Sequence, residues 1–208
     1  MNKYDIAICT STYFGLYGNV TDTSYRLKLF EKMRDSLMEI DTGDKSVCWV
    51  IHDDASPVMP PISTRMRFPV HLLRRAENIG QPRNYLSTAE HACELAEWVL
   101  VVDDDGLVAP DILPRMFSLV DRYPEADFYG AFNSPYHPAV ETYDDHVLKV
   151  STCEHGRFFR CSTNGFGMSK HKIPVLKPSA LQHCGIYGLN GTVDDFDAEF
   201  GRTAAACA

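Results

Sequence analysis

The sequence has no long hydrophobic run: none of its apolar stretches approaches the roughly 20 residues needed to cross a bilayer. It is also short of positive charge, with 20 Lys and Arg against 28 Asp and Glu in 208 residues and a formal net charge of -8. This balance argues against a strong nucleic-acid footprint, which needs clustered Lys and Arg. No apolar signal core precedes the first predicted strand. These absences predict a cytoplasmic protein with no transmembrane segment.

Several familiar motifs are also missing. The seven cysteines are odd in number and form no C-x-x-C pair, and several lie in apolar runs. Buried free thiols in a reducing compartment explain this pattern better than a disulfide framework does. No G-x-G-x-x-G follows a predicted strand, and no P-C-x-x-C accompanies a histidine. A Rossmann dehydrogenase and a zinc deaminase are therefore disfavoured.

The first half of the chain alternates predicted strands with predicted helices. Short apolar runs predict strands at 6–10, 47–51, 70–73, 98–102 and 128–132. Helical spacing predicts helices over 25–40, from near Gln81 to 96, and after Pro110 to 119. The run 98–102 is continuously apolar, which is typical of a strand buried on both faces of a parallel sheet. This order predicts a three-layer α/β/α, Rossmann-like fold with a mostly parallel central sheet.

The second half is less regular. Residues 147–150 and 157–161 are predicted to pair as a hairpin, and a short helix is predicted over 193–200. We find no linker, repeat or low-complexity tract, so residues 1–208 are interpreted as a single domain.

Acidic residues follow two of the predicted strands. Asp53 and Asp54 close the second strand, and Asp103-Asp104-Asp105 closes the fourth. Ligands of open α/β sheets bind at the carboxyl ends of strands, and carboxylate oxygens suit Mg²⁺ or Mn²⁺. In extended backbone Asp103 and Asp105 would project to the same side. The triplet therefore predicts a metal site, with a solvated acidic turn or a helix N-terminus before Pro110 as the alternative.

Five segments in a fixed order carry a resemblance to a known family. They are Cys9–Tyr13, Asp53–Ser56, Asn78–Asn84, Val102–Gly106 followed by Pro110-Asp111, and Gly191–Asp197. With these segments the chain resembles the family 2 type of glycosyltransferases with the GT-A fold, over roughly residues 4–120 and more thinly near 191–197. The resemblance implies a nucleotide-sugar-binding half at 1–120 and an acceptor-binding half at 121–208.

The resemblance also implies a nucleotide site. Ser11 and Tyr13 would line the base pocket, with Tyr13 stacking on the base, and Asp54 would accept a hydrogen bond from a base N–H, as is usual for uracil. Arg83 would lie near the base or the diphosphate, where a guanidinium group suits anionic oxygens. Pro82 departs from the family, which often has alanine there. The implied donor is a UDP-sugar.

The chemistry implied by the resemblance needs a metal ion and a base. Asp103 would contact the ribose or the metal, and Asp105 would bind the Mn²⁺ or Mg²⁺ ion that bridges both phosphates. Asp104 makes the motif unusually acidic, and the resemblance leaves open which pair of the three holds the ion. In inverting members the general base comes from a late acidic cluster, which Asp194, Asp195 and Asp197 match, with Asp195 as the first choice. An acidic helix N-terminus is the structural alternative for these three residues.

Two other functions compete with sugar transfer. A nucleotidyltransferase would normally carry a glycine-rich, basic loop after its first strand, but Ser11–Gly15 contains no Lys or Arg. A nucleotide-sugar-binding module without turnover would keep the same acidic triplet. His183 is a further candidate for contact with the metal or a phosphate. The sequence leaves the sugar unnamed, and the acceptor can be a glycan, a protein or another hydroxyl compound.

Overall fold

A computed structural model of the chain describes residues 3–16, 23–62, 66–126, 128–131, 141–143, 146–149, 157–161, 173–175 and 180–183. Its first elements are β1 (Tyr4–Thr12), α1 (Thr23–Met38), β2 (Val47–Asp53), β3 (Val70–Arg74), α2 (Gln81–Leu95), β4 (Ala96–Val101), β5 (Gly106–Val108) and α3 (Ile112–Arg122). Then follow β6 (Phe128–Gly130), β7 (Glu141–Tyr143), β8 (His146–Lys149), β9 (Arg157–Arg160), β10 (Ile173–Val175) and β11 (Leu181–His183). No helix in these ranges is long and apolar enough to cross a bilayer.

Nine strands form one sheet in the order β3-β2-β1-β4-β9-β6-β10-β8-β7. The four strands β3, β2, β1 and β4 are parallel neighbours. Beyond them β9 runs antiparallel between β4 and β6, and the remaining pairs are mixed. A separate antiparallel pair joins β5 to β11. The predicted α/β class is confirmed, with the parallel strands concentrated in the first half of the chain.

The helices cover opposite faces of the parallel strands. Successive side chains of a strand point to opposite faces, so Ile8 of β1 packs in one cluster with Phe30 of α1 and with α3. Its neighbour Cys9 packs on the other face with Ala89 and Ala92 of α2. Right-handed crossovers explain this placement, because the connections through α1 and α2 run in opposite directions along the sheet. The three predicted layers are therefore present.

The two tryptophans occupy different parts of this core. Trp49 in β2 is fully buried, stacks on Phe30 with ring centroids 5.8 Å apart, and donates from Nε1 to Oγ1 of Thr10 at 3.0 Å. Trp98 in β4 stacks on Phe158 of β9 with centroids 4.9 Å apart and planes 9° from parallel. The second contact joins the parallel strands to the strands of the second half.

The predicted hairpin between 147–150 and 157–161 is wrong. β8 pairs with β7 and β10, whereas β9 pairs with β4 and β6. The physical reason lies in β9 itself, since Phe158 and Phe159 are both buried and project to opposite faces. A strand that is apolar on both faces is stabilised in the middle of a sheet rather than in an exposed hairpin.

The prediction that all cysteines are free thiols is wrong for one pair. Cys93 in α2 and Cys161 just after β9 form a disulfide, with Cα atoms 5.4 Å apart, and are 68 positions apart in sequence. Cys9 and Cys48 are free and buried, as expected. Because disulfides persist mainly in oxidising compartments, this pair gives the reducing compartment no support, and the cytoplasmic location stays a prediction.

Candidate functional site

The predicted site residues of the first half gather at the carboxyl edge of the parallel strands. The strand order reverses between β1 and β4, because β1 leads through α1 to β2 on one side while β4 lies on the other. The N–H of Val102 donates to the carbonyl of Cys9 at 3.0 Å, which places Asp103 beside the end of β1. Ligands of open α/β sheets bind in the crevice at such a reversal. The fold therefore positions this edge for a ligand.

Asp53 holds the turn that follows β2. Its fully buried carboxylate accepts hydrogen bonds from Oγ1 of Thr12 at 3.2 Å and from both the N–H and the hydroxyl of Ser56. Nε of Arg74 lies 3.4 Å from the same carboxylate. These contacts keep Ala55 at φ 58, a left-handed conformation that an alanine adopts at a cost. Asp53 thus has a structural role in shaping the edge.

The carboxylate of Asp54 lies at the N-terminus of α2. Its carboxylate is 2% exposed and accepts from the N–H groups of Ile79 at 2.8 Å and Gly80 at 3.0 Å. Gly80 has φ 88, a value that favours glycine, and it directly precedes the helix. A negative charge at a helix N-terminus is stabilising. A carboxylate has about four acceptor positions, so these two bonds leave capacity for the base N–H that the resemblance implies.

Asp54→Ala should therefore lower the stability of the protein and also the affinity for UDP that the resemblance implies. The part-buried N–H of Ile79 would lose its acceptor, while that of Gly80 would keep Oδ1 of Asn78, which predicts a loss of about 1 kcal/mol in the free energy of unfolding. Denaturant titration measures the first effect and calorimetry with UDP the second, while the rate at saturating donor should change less. Glu77→Ala, at an exposed acid near the same loop, is the control. Unchanged stability and unchanged UDP affinity would contradict both roles.

Asn84 of α2 connects this helix to the ends of β1, β2 and β3. The motif 78–84 contains this residue, but the sequence did not indicate its role. The fully buried side chain donates from Nδ2 to Oγ of Ser11 at 2.6 Å and to the carbonyl of His52 at 2.9 Å. Its Oδ1 accepts from Nε of Arg75 at 2.8 Å. The sequence feature that could have indicated this role is a polar residue among the small residues on one face of the predicted helix. Ser11 is held in place by this network.

His52 belongs to a buried polar cluster beneath that network. Its Nε2 lies 2.9 Å from Nδ1 of His91, and its Nδ1 lies 3.3 Å from Oγ of Ser87 and 3.5 Å from Nη2 of Arg75. Burial, together with the nearby His91 and Arg75, lowers the pKa of His52 to about 4. The ring is therefore neutral at physiological pH.

This pKa predicts that acid destabilises the folded protein. Below its unfolded pKa near 6.5, His52 binds a proton in the unfolded chain but not in the folded one until about pH 4. The stabilisation present above pH 6.5 should thus fall by up to about 3 kcal/mol as the pH decreases through that window. Denaturant unfolding between pH 4.5 and 7 measures it, with His52→Gln as the comparison. Equal pH slopes for both proteins would contradict the prediction.

The acidic triplet lies in a turn after β4. β4 ends at Val101, and the N–H of Gly106 donates to the carbonyl of Asp103 at 3.0 Å. The expectation that Asp103 and Asp105 share one side of an extended strand is therefore wrong, since the backbone turns between them. Both side chains are half-buried. Their assignment as metal ligands stays a prediction.

Asp104, the middle residue, has a partner that the sequence did not indicate. Nη2 of Arg26, on α1, donates to Oδ1 of Asp104 at 2.8 Å and to Oδ2 at 2.7 Å. Burial raises the pKa of Asp104 and the charge of Arg26 opposes that change, while Asp105 and Asp103 raise it further. The like charges of the triplet therefore act on one another, and Arg26 compensates one of them.

The donor set of the remaining carboxylates fits a hard divalent cation. Mg²⁺ and Mn²⁺ sites often use one or two carboxylates and complete the coordination with water and substrate phosphates. Asp103 and Asp105 supply two, and no group of three candidate ligands occurs within the described part of the chain. The backbone of His183 in β11 lies opposite Gly106 in β5, next to the triplet. The arrangement thus leaves coordination positions for phosphate oxygens.

The other predicted residues are distributed as follows. The ring of Tyr13 is half-buried and folds over Gly15, where an added Cβ would collide with the ring. Arg83 is exposed in the first turn of α2. The candidate bases lie outside the described residues, namely Asp194, Asp195 and Asp197.

Comparison with known proteins shows that the chain is similar in fold to solved structures. No family model matches the chain, and no curated protein matches it significantly. Among solved structures, S. aureus TarS 1–349 is similar with a TM-score of 0.58 and 16% identity over 85% of this chain. TarS 1–349 in complex with UDP-GlcNAc gives 0.56 at the same identity. The chain spans 59% of the 1–349 fragment and 36% of the longer TarS structure. At this identity the likeness shows the fold alone.

Proposed function

We propose that the chain transfers a sugar from a nucleotide-diphosphate sugar, a UDP-sugar in the first instance, to an acceptor hydroxyl with inversion of configuration. The observation that carries this proposal is the meeting of Ser11 and Asp54 with the Asp103–Asp105 triplet at the strand-order reversal. That edge combines groups for a nucleotide with carboxylates for a cation. TarS, which shares the fold, has been crystallised with UDP-GlcNAc and with UDP.

The donor would lie across the ends of β1, β2 and β4. Ser11 and Tyr13 line the base pocket, and the Tyr13 ring swings from Gly15 to stack on the base. Asp54 accepts the base N–H with its remaining capacity, and its two bonds to the loop before α2 hold it still for that purpose. Arg83, exposed in the first turn of α2, contacts the diphosphate. The residues that bind the nucleotide are therefore different from the residue that takes the proton of the acceptor.

The diphosphate would lie over the triplet. Asp103 and Asp105 hold Mn²⁺ or Mg²⁺, with Asp103 also within reach of the ribose, and His183 is an additional contact for the metal or a phosphate. When bound, the ion neutralises charge that develops on the leaving diphosphate. Asp195, or one of its neighbours Asp194 and Asp197, takes the proton of the acceptor hydroxyl. We assign donor binding to 1–120 and acceptor binding to 121–208 of a single cytoplasmic domain.

The experiment that tests the proposal is a donor panel. The protein is incubated with UDP-, GDP- and ADP-sugars and Mn²⁺, and both thermal shift and release of the nucleoside diphosphate are measured. We expect stabilisation and slow hydrolysis with a UDP-sugar, loss of hydrolysis in EDTA, and recovery with Mn²⁺ or Mg²⁺. Binding without release would favour a module that lacks turnover. Full activity in excess chelator would remove the metal from the proposal.

A further inference from the structure

The ion pair between Arg26 and Asp104 lies inside the proposed cation site but has no part in the function described so far. Nη2 of Arg26 reaches both carboxylate oxygens, at 2.8 and 2.7 Å. The two side chains are 24% and 10% exposed, so the pair is largely withdrawn from water. The residues are 78 positions apart, which means that the fold, and not a local turn, brings α1 onto the triplet.

We propose that Arg26 is a positioning residue that restricts the metal ion to Asp103 and Asp105 by keeping Asp104 out of its coordination. The inference rests on the proposed function, because it concerns the same cation. Nη2 of Arg26 holds both oxygens of the buried Asp104 side chain against α1, so coordination by Asp104 would require its carboxylate to turn away from α1 and break the pair. Breaking a buried pair leaves the other charge uncompensated.

Keeping the middle carboxylate away has a consequence for the donor. An ion held by three adjacent carboxylates has fewer positions for phosphate oxygens than one held by two, and Mg²⁺ or Mn²⁺ retains near-octahedral coordination. The positive charge of Arg26 also opposes tight binding of a cation in the absence of the diphosphate. The free protein should therefore hold the ion weakly, and the ion and the nucleotide should strengthen each other's binding.

Arg26→Ala tests this directly through metal binding, without any need for turnover. Calorimetry or Mn²⁺ electron paramagnetic resonance is performed with Mn²⁺ alone and with Mn²⁺ plus UDP. In the variant we expect Mn²⁺ alone to bind about tenfold more tightly because Asp104 joins the site and the charge of Arg26 is removed. The size of this change matches what substitutions behind metal ligands produce, but its sign is opposite. UDP should then gain less affinity from Mn²⁺ than it does in the wild-type protein.

The double variant Arg26→Ala/Asp104→Asn is the decisive control. It removes the released carboxylate, so both the affinity for Mn²⁺ alone and the Mn²⁺-dependent gain for UDP should return towards wild-type values. A merely structural pair would lower the melting temperature in Arg26→Ala and leave both Mn²⁺ measurements unchanged, which would overturn the inference. Weaker Mn²⁺ binding that Asp104→Asn does not restore would overturn it as well.

A single variant covers the case in which Arg26→Ala does not fold. Asp104→Asn keeps Arg26 and the shape of the middle side chain. It should still bind Mn²⁺ in the presence of UDP, with only a modest loss of affinity from the uncompensated charge of Arg26, because Asp104 is not a ligand. Loss of Mn²⁺ binding in Asp104→Asn would make Asp104 a ligand and overturn the inference, while leaving the proposed function standing. If the wild-type protein binds no Mn²⁺ even with UDP present, the metal-dependent function fails and the inference fails with it.

Discussion

Asp105→Ala should reduce metal-dependent turnover of the donor by roughly 10²-fold or more, since charge stabilisation by a bound metal ion contributes several kcal/mol to the transition state. The fold should persist, because the change removes one of three crowded carboxylates and so relieves their repulsion. Release of nucleoside diphosphate at saturating donor and Mn²⁺ measures the effect. Circular dichroism and thermal melting of the free protein measure the fold.

Asp44→Ala is the matched control for this variant. Asp44 is also an aspartate in a turn, but its side chain is 90% exposed and it pairs only loosely with Lys45, at 3.7 Å. Its removal should leave turnover and Mn²⁺ dependence unchanged. Wild-type turnover in Asp105→Ala would show that Asp105 does not hold the ion, and Asp103→Ala would then be the informative variant.

Asp195→Asn should slow transfer by roughly 10²–10⁴-fold, which is the usual contribution of a general base. The amide keeps the size of the carboxylate and can still form hydrogen bonds, but it takes up no proton at neutral pH. UDP affinity should persist, because the predicted donor contacts lie in residues 11–105 and at His183 and do not include Asp195. Until the acceptor is identified, donor hydrolysis replaces transfer in the assay, with water as the nucleophile.

The neighbouring acids provide the comparison. Asp194→Asn and Asp197→Asn should each have a smaller effect than Asp195→Asn, since one carboxylate takes the proton. A pH–rate profile distinguishes a base from a structural residue, because loss of the base removes the acidic limb whereas loss of a structural contact lowers the whole curve. If one of the two neighbours shows the larger loss together with the altered profile, the role belongs to that residue.

The sequence predicted the elements whose signals are local. The apolar runs at 47–51 and 70–73 became β2 and β3, which the structure extends only to Asp53 and Arg74. Proline after Gln81 marked the first turn of α2 correctly. Patterns of this kind act over a few residues, so a single sequence contains them in full. The edge at which the site lies follows from those elements and their order.

The partners of individual side chains could not be read in the same way. The bond between Asp54 and the N–H of Gly80 spans 26 residues, and the pair of Arg26 with Asp104 spans 78. An aspartate looks the same in the sequence whether its carboxylate accepts hydrogen bonds from a helix terminus, pairs with a guanidinium group or binds a cation. The packing of α1 and α2 on the sheet decides which of these three roles a carboxylate has, and that packing is a tertiary property.

The two tryptophans can serve as fluorescence probes of two parts of the structure. Trp49 stacks on Phe30 of α1, whereas the stacking of Trp98 on Phe158 depends on the docking of β9. Trp98→Phe and Trp49→Phe would each leave one emitter, so that denaturant-induced fluorescence changes follow the two regions separately. Coincident transitions would indicate a single cooperative unit. An earlier transition at Trp98 would show that the second half detaches while the parallel strands remain folded.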